Sequence, residues 1–221
     1  MNVFYLPDAQ LGTISFPEEE SKHIVKVLRM KEGDRFCVTN GNGSLFDAEL
    51  VDAHPKRAMA DLSNQRNGYD IRNYKLSIAI APTKLNERTE WFLEKATEIG
   101  IDEVKLFASY HSERRVANVE RFKKIVVSAM KQSVKSKMPV VEEMVSFDKL
   151  VKQDFDGQKF IAWIDDDVKE QLCDLYKKGE NAIVLIGPEG DFSKEPRTIA
   201  SLPYFWRMES IARSSFLLRS V

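Results

Sequence analysis

From residue 74 onward, short aliphatic runs alternate with stretches of helical periodicity. No other feature of the chain constrains its fold as strongly. Leu76–Ala81 reads as a buried strand. Glu87–Ile99 reads as a helix with Trp91, Leu93, Ala96 and Ile99 as its apolar positions and Gly100 as its stop. Val104–Ala108 is a strand, Asn118–Lys137 a long helix halted before Pro139, Phe160–Ile164 a strand and Val168–Tyr176 a helix. Ala182–Ile186 is a continuous apolar strand running into Gly187-Pro188-Glu189-Gly190. Strand and helix in alternation predict a mostly parallel α/β sheet.

The first seventy residues follow a different pattern. Val3–Tyr5 and Thr13–Ser15 are short strand candidates. Pro17-Glu18-Glu19-Glu20 opens a helix, with proline early and acids where the helix dipole favours them. Ile24, Val27 and Leu28 continue the helical spacing. A strand through Phe36 and Val38, the turn Gly41-Asn42-Gly43 and a return strand Leu45–Val51 form a hairpin. Arg57–Leu62 adds a strand, and the polar stretch Ser63–Asn73 reads as a linker. The expected organisation is a small β-rich domain over 1–70 and an α/β domain over 74–221.

The chain has 221 residues, of which 30% are charged and 43% hydrophobic. That is ordinary globular composition, with enough chain to bury a core unaided by metal or disulfide. The two cysteines, Cys37 and Cys173, lack metal-ligand spacing and are expected to be reduced and buried. No metal site is expected. Neither a basic leader nor an 18-residue apolar run is present, so the reading is a cytoplasmic protein without a membrane span. The net charge of −1 hides an asymmetry: residues 71–138 hold 14 Lys+Arg against 8 Asp+Glu, a balance of +6, inside an otherwise acidic chain. A basic block of this kind suits a polyanion, and it suits a solvated helix face equally well.

Three constellations carry possible chemistry. The strand ending in Gly187-Pro188-Glu189-Gly190 presents backbone to a ligand at the carboxyl edge of a sheet, or is a plain tight turn. Arg121, Lys124, Ser128, Lys131 and Lys135 recur at spacings of three and four, opposite Phe122, Ile125, Val126 and Ala129. Such a row tracks phosphates, or is merely solvated. Glu90, Glu94 and Glu98 are like-charged neighbours that call for basic partners, in structural pairing rather than acid–base catalysis. No HExxH, P-loop or GxSxG pattern occurs.

Taken in order, these pieces resemble the RsmE family of the SPOUT superfamily. His23-Ile24-Val25-Lys26-Val27-Leu28-Arg29 before Gly33-Asp34 is similar to its first signature. Lys84, Glu90 and Lys95-Ala96-Thr97-Glu98-Ile99-Gly100 are similar to the second, and Ser112-Glu113-Arg114 to the third. Ala129-Met130-Lys131-Gln132-Ser133 through Pro139 is similar to the fourth, with Lys135 where arginine is usual. Leu185-Ile186-Gly187-Pro188-Glu189-Gly190-Asp191-Phe192-Ser193 is similar to the cofactor loop.

The resemblance implies a small β-rich PUA-like domain followed by a SPOUT-like α/β domain with a C-terminal trefoil knot. It implies methylation of N3 of a uridine in small-subunit ribosomal RNA, with S-adenosylmethionine as cofactor, no DNA partner, and a homodimer. Leu185, Ile186, Gly187, Pro188, Glu189, Gly190, Arg207 and Glu209 would hold the cofactor. His23, Arg29, Arg114, Arg121, Lys124, Lys131 and Lys135 would hold RNA. No general base is assigned. The competing readings are an RNA-binding protein without activity and a nucleotide-binding α/β protein of other chemistry. After the cofactor loop, the family's ending is only loosely matched. Pro196 and Pro203 remove backbone donors, and Arg207, Arg213 and Arg219 interrupt any apolar face. Residues 196–221 are therefore expected to be irregular.

Overall fold

The computed structural model describes residues 2–69, 71–163, 170–188 and 205–209. They fall into two compact units. One comprises Met1–Ile71, Thr97–Gly100 and Lys124–Met138; the other comprises Arg72–Ala96, Ile101–Lys123 and Pro139–Val221.

The first unit is built on a five-stranded sheet in the order β1-β3-β4-β5-β2: β1 (Val3–Tyr5), β2 (Gly12–Ser15), β3 (Arg35–Thr39), β4 (Ser44–Asp52) and β5 (Met59–Asn67). The predicted hairpin is present: β3 and β4 pair antiparallel, with Gly41 and Gly43 at φ +73° and +95° in the turn. Phe4, Phe16, Ile24, Phe36, Val38 and Phe46 fill the core. Helix α1 (Glu18–Lys22) passes directly into a π-helical turn over His23–Val27, closed by Leu28 N–H donating to His23 O at 2.9 Å. The expected linker 63–73 begins later than predicted. The polar run Ser63–Asn67 extends β5, because Asn67 pairs Ser44 and Asp47 pairs Ser63.

The second unit carries an entirely parallel sheet in the order β12-β10-β11-β6-β7-β8. Its strands are β6 (Leu76–Ile80), β7 (Glu103–Ala108), β8 (Val140–Val141), β10 (Gln158–Trp163), β11 (Ala182–Ile186) and β12 (Trp206–Glu209), while β9 (Val145–Ser146) pairs the far end of β7. The helices in chain order are α2 (Asn86–Ile99), α3 (Val119–Gln132), α4 (Phe147–Val151) and α5 (Leu172–Leu175). Ser146 caps α4 by accepting from Lys149 N–H.

Several boundaries and faces differ from the sequence reading. Helix α3 stops at Gln132 rather than Lys137: Val134 takes φ +56° and Lys135 N–H closes onto Met130 O at 3.0 Å, a left-handed helix terminus. Lys135 thus lies beyond the helix and outside its basic row. On α2, Leu93 and Ala96 are buried as predicted, but Trp91 and Ile99 are 64% and 75% exposed. The buried stripe is Thr89, Leu93, Ala96 and Thr97, completed by two threonines that an apolar template omits. The helix expected over 168–176 is one turn, Leu172–Leu175, with residues 168 and 169 outside the described ones; Ile164, the expected end of β10, also lies outside them. Cys37 is buried and Cys173 exposed. In the tail, 206–209 is not irregular but a strand paired with β10; 196–204 and 210–221 lie outside the described residues. No helix among the described residues is long and apolar enough to cross a membrane.

Candidate functional site

Because every strand of the second sheet is parallel, all its carboxyl ends share one edge. The chain moves from β6 outward to β7 and β8 on one side, while β11, β10 and β12 lie on the other. The sheet's switch point therefore falls between β6 and β11, where ligands of open α/β sheets bind. Ala81 N–H, just past β6, donates to Ile186 O at 3.1 Å and fastens the two strand ends.

The register places the predicted cofactor residues. Leu185 is fully buried, Ile186 and Gly187 are half-buried, and Pro188 is buried. Leu185 pairs Ile161, and Ile161 pairs Arg207 on its other side; Trp163 pairs Glu209. Arg207 thus stands in the same transverse row as Leu185, two strand spacings or about 10 Å away. The structure brings 185–188 and 207–209 to one end of the sheet with β10 between them. Glu189 and Gly190 lie outside the described residues.

The loops after β6 and β7 reach the same edge. Arg114 donates from Nε to Thr83 O at 3.3 Å and from Nη2 to Lys84 O at 2.8 Å. Lys84 pairs with Glu113 at 3.0 Å. With Arg115 and Val116 these residues line a 460 Å³ hollow.

The basic row of α3 divides by partner. Arg121 Nε lies 2.7 Å from Glu90 Oε1, and its Nη2 donates to Glu90 Oε2 at 2.9 Å; that contact raises the affinity of Arg121 for its proton. Glu90 has the basic partner its like-charged neighbours require. Lys131 pairs with Glu20 at 2.8 Å. Lys124 is exposed and makes no ion pair among the described residues. His23 is exposed with its ring edge-on to Phe4, centroids 6.2 Å apart, and Arg29 is exposed at φ +54° just after the π turn. A π turn followed by a left-handed arginine is a locally strained arrangement of the kind that gathers at functional sites. The spacing of Ile24, Val27 and Leu28 is compatible with an ordinary α-helix and does not reveal it.

A family model described as an RNA methyltransferase domain matches residues 71–205, and one described as an RNA methyltransferase PUA domain matches 16–62. "Ribosomal RNA small subunit methyltransferase E" of Bacillus subtilis is 26% identical over 201 residues, covering 82% of this chain and 76% of its own. The chain belongs to the RsmE-type family of RNA methyltransferases. The crystal structure of a probable rRNA-methyltransferase from Porphyromonas gingivalis superposes at TM-score 0.85 and 39% identity, covering 95% of this chain and 89% of that one. A Ribosomal RNA small subunit methyltransferase E from Neisseria gonorrhoeae, bound to S-adenosyl methionine, has the same fold at TM-score 0.80 and 21% identity, with coverage of 95% and 89%.

Membership in the RsmE-type family bears out the resemblance carried by the five signatures, and with it the α/β domain preceded by a PUA-like domain. Three of those signatures supply the sheet edge described above: Lys84 after β6, Ser112-Glu113-Arg114 after β7, and Leu185-Ile186-Gly187-Pro188 at the end of β11. Tyr110 belongs to none of them and is passed over in the sequence. The available signal is an aromatic residue beside His111 and Arg114-Arg115 in a polar loop.

Proposed function

We propose that this protein transfers a methyl group from S-adenosylmethionine to N3 of a uridine in small-subunit ribosomal RNA. The observation that carries the reading is the arrangement, in a family RNA methyltransferase domain, of 185–188 and 207–209 at the carboxyl edge of one parallel sheet. The fit with the cofactor is chemical. Adenine recognition needs backbone donors and acceptors at close range, and Gly187 at a strand end adds no side chain to obstruct it. Leu185, Ile186, Gly187, Pro188, Glu189 and Gly190 would form one wall and Arg207 and Glu209 the other, in a C-terminal trefoil knot. The bound cofactor supplies an electrophilic methyl carbon.

The protein's own task is alignment. Uracil N3 must approach that carbon in line, with its proton released, and positioning alone accounts for a large share of such a rate. N3 takes part in base pairing, so the target is unpaired or flipped out of its stack. His23, Arg29, Arg121, Lys124 and Lys135 are the cations proposed to hold the RNA, with Arg114 and Lys131, each engaged by partners of its own chain, proposed to position the structure around them, and residues 1–70 as the docking domain. The protein is proposed to act as a cytoplasmic homodimer.

The test is incubation of the purified protein with labelled S-adenosylmethionine and either naked small-subunit rRNA or the assembled subunit, followed by nucleoside digestion and mass spectrometry. Label in 3-methyluridine is expected. Label in another nucleoside overturns the assignment of N3. RNA binding without transfer to any substrate would make this an RNA-binding protein of the same fold.

A further inference from the structure

The loop following β7 combines a fixed backbone with an outward aromatic ring. Tyr110 is 79% exposed, as open as any large hydrophobic side chain in the described residues. Its surroundings are ordered by hydrogen bonds on both sides. Ser112 is buried; its Oγ accepts from Ser109 N–H at 2.9 Å, and its own N–H donates to Ser109 O at 3.2 Å. Arg115 Nη2 donates to Tyr110 O at 3.4 Å. Arg114 ties the same loop to the carbonyls of Thr83 and Lys84. The His111 ring stands edge-on to Tyr110 at 89°, centroids 5.1 Å apart. That contact is a single edge-to-face pair, and most of the Tyr110 side chain stays open to solvent.

The same loop lines a hollow whose charges are lopsided. Lys84, Arg114 and Arg115 bring three positive charges, against Glu113 as the single acid lining the same hollow. The fifth lining residue, Val116, is apolar and exposed. A protein-binding patch needs a wider apolar centre than one tyrosine and one valine. An exposed aromatic ring on a loop that also carries cations is how sequence-tolerant grooves hold single-stranded nucleic acid, since every base has a π-face and every nucleotide a phosphate. The loop lies on the same sheet edge as Gly187.

We propose that Tyr110 is a stacking platform for a base flanking the target uridine, with Arg115, tied to the Tyr110 carbonyl, facing an adjoining phosphate. The proposal rests on the RNA methyltransferase reading. Stacking one neighbour would hold the strand unpaired while the uridine is presented at the strand ends. Arg114, whose guanidinium is engaged with two carbonyls of its own chain, is then a positioning residue for this loop.

Fluorescence anisotropy with a labelled single-stranded oligoribonucleotide from small-subunit rRNA, run on the full chain, tests it. Tyr110→Ala is expected to weaken binding about tenfold, Tyr110→Leu comparably, and Tyr110→Phe less than about twofold. The dependence of affinity on salt should keep its slope in Tyr110→Ala, because stacking releases no counterions. Calorimetric affinity for S-adenosylmethionine should be unchanged in all three. Equal RNA affinity in wild type and Tyr110→Ala overturns the proposal while leaving the methyltransferase reading intact. So does a Tyr110→Phe defect as large as that of alanine, which would assign the contact to the hydroxyl. A change of oligomeric state on sedimentation with RNA affinity retained would make the loop a protein interface. Wild-type protein that binds neither this oligonucleotide nor small-subunit rRNA, naked or assembled, overturns both readings.

Discussion

Lys131 donates to Glu20 at 2.8 Å while its ammonium lies 5.6 Å from the centre of the Phe4 ring. Both charged side chains are about three-quarters shielded, at 24% and 23% exposure. A cation placed this way is a tie within the first unit, with less of it available to a phosphate than the helical row implies. A partly buried pair loses more when one member is removed than an exposed one does.

Lys131→Ala is therefore expected to lower stability by about 1–2 kcal/mol, read from the urea midpoint. Lys124→Ala, at an exposed position of the same helix, should leave the midpoint unmoved and reduce the salt slope of RNA binding by about one unit. If Lys131→Ala instead reduced that slope with no loss of stability, the row would be one continuous phosphate stripe.

The end of the same helix holds a measurable strain. Val134 sits at φ +56°, a conformation that crowds a β-branched side chain against its own backbone. It is held there by packing against Val3, Cys37 and Leu45. Val134→Ala removes the packing and keeps a Cβ in the left-handed region. Val134→Gly removes both. The glycine variant should be the more stable of the two by about 1 kcal/mol, the reverse of their order inside a helix. Denaturant unfolding of the pair would decide it, and a more stable alanine variant would place the strain elsewhere.

The parallel sheet is legible because its strands are short, largely apolar runs: Ala182–Ile186 matches β11 to the residue, as Val3–Tyr5 matches β1 and Gly41-Asn42-Gly43 the turn of the first hairpin. The stop of α2 at Gly100 was equally plain, since Gly100 lies at φ +98° with Ile101 N–H closing onto Ala96 O at 3.0 Å. What escaped depended on partners distant in the chain. Ser63–Asn67 has no apolar alternation and is a strand only because β4 offers it a ladder. Thr89 and Thr97 are buried polar residues, invisible to a hydrophobic template. Val134 ends α3 without glycine, the usual signal. At the site, the family resemblance names residues 185–190 together with Arg207 and Glu209, while the row that Arg207 shares with Leu185 through Ile161 is a fact of register alone.

Glu103 links stability to pH. Burial alone would raise its pKa, but hydrogen bonds from Ser77 and Lys75 and the charges of Lys105 and Lys75 outweigh burial and hold it below its ordinary 4.5. The Ser77 hydroxyl donates at 2.8 Å and Lys75 lies at 3.0 Å, with the carboxylate 7% exposed. A folded-state value below the unfolded one adds stability that is complete above the unfolded pKa and lost as pH falls through the folded one. Glu103→Gln should be less stable at pH 7 by on the order of 2 kcal/mol, because Lys75 loses its counter-charge while Lys105 keeps Glu142. The difference from wild type should shrink as pH drops below about 4.5. Urea titrations at pH 7, 5 and 3 measure it; a constant gap across that range would mean Glu103 does not titrate with folding.

The last prediction concerns β12. Pro196, Pro203 and the regularly spaced arginines of the tail argue for irregular chain, yet Trp206–Glu209 lies in register with Phe160–Trp163 at the sheet's margin. Phe205, just before it, packs against the cluster containing Ile161, Ile183 and Leu185, with Lys159 Nζ 5.7 Å from its ring centre. An apolar anchor ahead of a short strand helps to hold it to the sheet. Among the described residues β12 has one partner, so in a parallel ladder about half of its amides point to β10 and the rest point away. Hydrogen exchange at single-residue resolution should therefore show alternating slow and fast amides from Trp206 to Glu209. Phe205→Ala, which removes the anchor, should make all four fast and weaken S-adenosylmethionine binding, while exchange in Ala182–Ile186 stays slow. Uniformly fast exchange in the wild-type protein would separate Arg207 and Glu209 from the wall proposed for the cofactor and leave 185–190 to hold it alone.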